Sequence, residues 1–70
     1  MATFSDLEVV YARFGFPDKG IQAGQVGTVV HVFSHPSEAY LVEFATENGE
    51  AIATVAAEPQ ELARQNSSVP

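Results

Sequence analysis

The chain has 70 residues, no cysteine, and nine acidic against three basic side chains, for a formal net charge of −6. That length allows one domain with a stability margin of about 3–5 kcal/mol, and it leaves no room for a deep catalytic cleft. The absent cysteines exclude disulfides, thiolate nucleophiles and Cys-based zinc or iron–sulfur centres, and three scattered cations (Arg13, Lys19 and Arg64) argue strongly against tracking a nucleic-acid backbone.

In chain order, Met1 to Ser5 reads as a loose lead-in. It lacks the basic and apolar regions of a signal peptide. Ser5-Asp6-Leu7-Glu8 matches a capping box, yet Val9-Val10-Tyr11 is poor helix material, and Gly15 and Pro17 would stop a helix early. The reading is therefore a strand over Leu7 to Phe14. Phe14 to Gly20 is a loop, set by two glycines and the Pro17-Asp18 turn pair. The strongest β signal follows, in Ile21 to Phe33. Gly24 suits a positive-φ turn, Gly27 marks a bulge, a kink or a close approach, and Thr28 to Phe33 is rich in β-branched residues.

Ser34 to Glu38 is the second loop. From Ala39 to Ala45 the sequence alternates, with Tyr40, Val42 and Phe44 on one face and Leu41, Glu43 and Ala45 on the other. Asn48-Gly49 between extended runs signals a hairpin into a strand over Ala51 to Ala56, although Ile52, Val55 and Ala56 also fit helical spacing. Glu58 to Leu62 outlines one helical turn with Pro59 near its start. Ala63 to Gln65 is a short closing strand, and Asn66 to Pro70 reads as a disordered tail. The domain then spans residues 6–65. The expected class is all-β: a small five-stranded barrel with one 3-10 turn before the last strand. Its expected core is Val9, Val26, Val29, Val32, Tyr40, Val42, Phe44, Ile52 and Leu62.

The stretch Gly24-Gln25-Val26-Gly27-Thr28-Val29-Val30 resembles the opening of KOW-type and other SH3-like barrels, which share a Gly-x-Val-Gly-x-Val pattern. A fuller set resembles a family of short bacterial SH3-like proteins catalogued as a domain of unknown function. That set comprises Asp6-Leu7-Glu8-Val9-Val10, Gly20-Ile21-Gln22-Ala23-Gly24, Gly27-Thr28-Val29-Val30-His31-Val32, Ala39-Tyr40-Leu41-Val42-Glu43-Phe44 and Asn48-Gly49-Glu50. The resemblance implies an SH3-like fold and partner binding, since some members lie beside toxin-like genes; it supplies no active-site residue. This chain departs from the pattern at Phe14-Gly15-Phe16, where a more polar stretch is expected.

The residues themselves carry no catalytic constellation. His31 and His35, four apart in a strand, would stand about 13 Å apart, too far to share one ion. Ser34, His35 and Asp18 lack a nucleophile elbow, Glu47 and Glu50 sit on a hairpin tip as ordinary acids, and no Gly-Lys-Ser/Thr follows the glycines. The expectation is a non-enzyme with no metal and no cofactor. Partner-binding candidates are Phe16, Pro17 and Asp18 in the first loop with His35 and Glu38 in the second, two loops that meet on one side of an SH3-like barrel. The first reading of the two loop phenylalanines, Phe14 and Phe16, is that one or both cap the end of the core, an exposed anchor being the functional alternative.

The leading functional expectation is a protein-interaction module. Its specific form would be an antitoxin or immunity partner of a toxin, with the acidic surface covering a basic cleft. The alternatives are an accessory SH3-like subunit of a bacterial enzyme complex and, opposed by charge, a KOW-like nucleic-acid-binding domain. No apolar run approaches the roughly 20 residues of a membrane span, and a cytoplasmic monomer or weak dimer is expected.

Overall fold

A computed structural model of the protein describes residues 3–64. Its strands are β1 (Val9–Ala12), β2 (Val26–Phe33), β3 (Ala39–Ala45), β4 (Ala51–Ala57) and β5 (Leu62–Arg64). They form one antiparallel sheet in the order β4-β3-β2-β1-β5. A 3-10 turn at Pro59–Glu61 precedes β5 as read from the sequence, and a second one occupies Pro17–Lys19 in the first loop. The all-β, five-stranded reading holds. Closure does not: among the described residues β4 and β5 share no ladder, because the three-residue β5 pairs with β1 alone. No helix among the described residues is long and apolar enough to cross a membrane.

The first strand is shorter than expected at both ends. Ser5 to Glu8 forms a hydrogen-bonded turn, with the Glu8 N–H donating to the Ser5 carbonyl at 3.1 Å and the Ser5 N–H donating to the Glu8 carboxylate at 2.9 Å. The capping-box residues thus close one turn without starting a helix. The hairpin between β3 and β4 forms around Asn48-Gly49, with only Gly49 at positive φ (88°). Thr46 steadies it: its hydroxyl accepts from the Asn48 and Glu50 N–H groups at 3.2 and 3.1 Å. β4 runs one residue further than expected, to Ala57, and the closing strand begins one residue earlier, at Leu62. Gln65 and the expected tail over 66–70 lie outside the described residues.

The buried core comprises Phe4, Val10, Ala12, Ile21, Val29, Tyr40, Val42, Phe44, Val55, Ala57 and Leu62. Val29, Tyr40, Val42, Phe44 and Leu62 were legible in the alternation. Val9 and Val26 are only half-buried, because Val10 and Ala12 hold the inner positions of β1 and Gly27 and Val29 those of β2. Val32 still packs on the core three residues after Val29. A bulge between the Val29–Val42 and His31–Leu41 pairs resets the alternation there. Ile52 is exposed, set aside by a second irregularity in which Phe44 faces Ala53 and Ala45 faces Ala51.

Gly27 serves close approach and not the bulge. A Cβ there would stand 2.7 Å from both Phe44 Cδ1 and Val42 Cγ1, so its absence makes room for the Phe44 ring. The expectation of a loose lead-in fails at Phe4, which is buried and meets the Tyr40 ring edge-on at 5.3 Å. The Tyr40 hydroxyl accepts from the Thr3 and Phe4 N–H groups at 2.8 and 3.1 Å, and it donates to the Glu38 carboxylate. A buried phenol needs such partners, and here they fasten the first described residues to β3.

Candidate interaction surface

Of the five residues expected to bind a partner, Phe16, Pro17 and Asp18 lie in the first loop and His35 and Glu38 in the second. Pro17 and Asp18 sit exposed in the 3-10 turn that leads towards the start of β2, while His35 and Glu38 lie beyond its end. The strand between them is eight residues long. At strand rise its ends stand about 23 Å apart. Phe16 is half-buried, its ring 5.8 Å from that of Phe44, and its backbone bridges to Ile21 in both directions at 2.8 and 3.1 Å. It packs against the core, as the capping reading expects.

Glu38 is half-buried and engaged by the protein itself. The hydroxyl of Tyr40, and then the Thr3 N–H at 2.8 Å, hold its carboxyl below the ordinary carboxylate range. A carboxylate depressed in the folded state contributes stability above its unfolded pKa and loses it as pH falls through the folded one. Thermal melts through the acid range should therefore show a loss of stability as Glu38 protonates. Glu38→Gln should flatten that part of the profile, and an unchanged profile would show the carboxylate to be uncoupled from folding.

A different surface emerges from the backbone. The Leu7 N–H donates to the Val29 carbonyl at 2.7 Å, and the Val29 N–H donates to the Glu8 carbonyl at 2.9 Å. Two residues of the first segment thus face one residue of β2, the pattern of a bulge whose first residue is ordinarily a glycine at positive φ. Here that residue is Leu7, at φ 67°, and it is the single non-glycine at positive φ among the described residues. A left-handed leucine costs about 1–2 kcal/mol. Its side chain is 72% exposed, so burial offsets almost none of that.

Alongside it, Val30 has no partner on β3, because the β2 bulge falls at its position, and it stands 39% exposed. Phe33 is 37% exposed on the same strand, with the His31 ring edge-on to it at 4.6 Å. Two irregularities, one on each side of Val29, thus fall at Leu7 and Val30, whose side chains are exposed, while His31 and Phe33 follow further along β2. Leu7 and Val30, with Phe33 further along β2, make up a strip of exposed apolar side chains, and Glu8, next to Leu7 in the chain, pairs with Arg64. Sequence reading missed it. Its only trace was the Ser5–Glu8 capping box, which announced a turn where a strand was expected.

The strip offers no nucleophile and no paired acids, and among the described residues no three His, Asp or Glu groups are placed to hold a metal ion. Its chemistry is that of contact.

One family model, described as a domain of unknown function (DUF4926), matches residues 7–64. No curated protein matches the chain. No solved structure matches it either.

Proposed function

The chain belongs to this family of a domain of unknown function, DUF4926, and from that premise we propose that it is a non-catalytic protein-interaction module. In this reading it is a bacterial SH3-like domain, cytoplasmic and a monomer or weak dimer when free, and its specific form is an antitoxin or immunity partner. The observation that carries the reading is Leu7, held at positive φ with its side chain in solvent, while Val30 and Phe33 on β2 are also exposed. Interfaces need a desolvated apolar anchor with a polar rim, and the strip with its Arg64–Glu8 border has that composition. The net charge of −6 adds steering towards a basic partner, such as a toxin with a nucleic-acid-binding cleft.

The test uses opposite signs. Leu7→Gly should raise folding stability by about 0.5–1 kcal/mol, since glycine relieves the left-handed penalty and returns part of it as chain entropy. The same change should weaken binding to the partner encoded beside this chain by about tenfold. Chemical denaturation and titration calorimetry read the two effects. Higher stability with unchanged binding would remove the strip from the interface, and a neighbour that is a metabolic enzyme subunit would replace the antitoxin form with that of an accessory subunit.

A further inference from the structure

β4 is an outer strand of the sheet, and among the described residues it pairs with β3 alone. It runs for seven residues, Ala51-Ile52-Ala53-Thr54-Val55-Ala56-Ala57, without a charge or a proline. Edge strands of that length ordinarily carry lysine, proline or an inward charge to prevent pairing with other chains. β4 has only its irregularity near Ile52. Its backbone donors and acceptors on the outer side form a template for one more strand.

The charge around this edge selects what could fill it. No Lys or Arg lies between Lys19 and Arg64, whereas Glu43, Glu47, Glu50 and Glu58 surround β4 and are all exposed. Glu47 and Glu50 stand where the strand begins, Glu58 where it ends, and Glu43 faces Thr54 from β3. A second copy paired antiparallel about Thr54 would set Glu50 of each chain opposite Glu58 of the other, so both ends of the ladder would repel. A strand with basic ends meets the opposite field.

We propose that the β4 edge accepts, as an added strand, an extended segment of a cationic protein in which basic residues flank a β-branched stretch. Main-chain pairing supplies the attachment, and the acidic ends supply the selection. This surface is separate from the Leu7–Val30–Phe33 strip and stands or falls independently of it.

The experiment is an NMR titration of the full chain with the capped peptide Lys-Lys-Thr-Val-Thr-Val-Thr-Lys-Lys. Shift changes and slowed amide exchange should concentrate on β4 and its flanks. N-methylation of alternate peptide amides along one edge, which blocks strand pairing, should weaken binding at least about tenfold. Glutamates in place of the lysines should weaken it by about as much, and the exposed-site double variant Glu47→Lys/Glu50→Lys should reduce the preference for the lysine peptide. No binding, equal binding of the N-methylated peptide, or shifts centred away from β4 would each overturn the proposal. So would a β4-paired dimer of the chain already complete at micromolar concentration without peptide, which would make a second copy the occupant.

Discussion

Phe44→Ala should destabilise the protein by about 3–5 kcal/mol, a loss comparable with the whole margin of a domain this small. Phe44 is fully buried on β3, opposite Gly27 on one side and Ala53 on the other, and its ring supports that of Phe16. The small residues facing it are the reason the cost is high. Gly27 is a glycine because a Cβ would collide with this ring, so truncating the ring leaves a void that neither neighbouring strand has a side chain to fill. Phe16 would lose its support as well. Equilibrium denaturation followed by circular dichroism measures the effect. A fall of less than about 1 kcal/mol would place Phe44 outside the core and refute the register of β2 on β3.

Gly15→Ala should cost about 2–4 kcal/mol, from two sources that add. The first is conformational, because Gly15 has φ +83°. The second is steric: an added Cβ would lie 2.8 Å from the Ala23 nitrogen, 2.8 Å from the Ile21 oxygen and 3.0 Å from the Gln22 carbonyl carbon. These are backbone atoms, fixed by the Phe16–Ile21 bridge and by the Gly24 N–H bond to the Ala12 carbonyl at 2.7 Å. They cannot rotate away as a side chain would. Gly20 supplies the control, since it has φ +77° with nothing within 4 Å of a built Cβ. Gly20→Ala should show the conformational part alone, about 1–2 kcal/mol. Equal losses in the two variants, measured by the same denaturation assay, would show that close packing inside the first loop contributes nothing.

The parts of the fold legible in the sequence were those in which residue type and conformation coincide. Tyr40, Val42 and Phe44 alternate with smaller or charged residues, so their inward face was readable. Asn48-Gly49 announced its hairpin, and Pro59 its 3-10 turn. Where neighbouring residues are chemically alike, the pattern is silent. Val9 and Val10 are both valines, so nothing in composition says which faces inward; the Leu7–Glu8 bulge decides it, and that bulge lacks its usual glycine.

The β2 bulge is equally hidden. It falls within Val29-Val30-His31-Val32, where every residue suits a strand and none marks an extra position. Phe4 was missed because its partner is remote: the Tyr40 ring and hydroxyl that hold it lie 36 residues away in sequence. The expected binding residues are divided between two loops. These loops adjoin the two ends of β2. The exposed strip follows from two irregularities of pairing, which no residue count reveals.

The Arg64 guanidinium donates to the Thr3 carbonyl at 2.5 Å, pairs with Glu8 and lies over the Phe4 ring at 5.0 Å. One side chain on the last strand thus gathers the first residues described, so the two ends of the described segment, Thr3 and Arg64, meet at one corner. A unit whose entry and exit coincide can be spliced into a surface loop of a host protein without forcing the host's cut ends apart. Domain insertion, with the Thr3–Arg64 contact acting as the clasp, is therefore a geometry open to this fold, and it would leave both the Leu7 strip and the β4 edge facing outward.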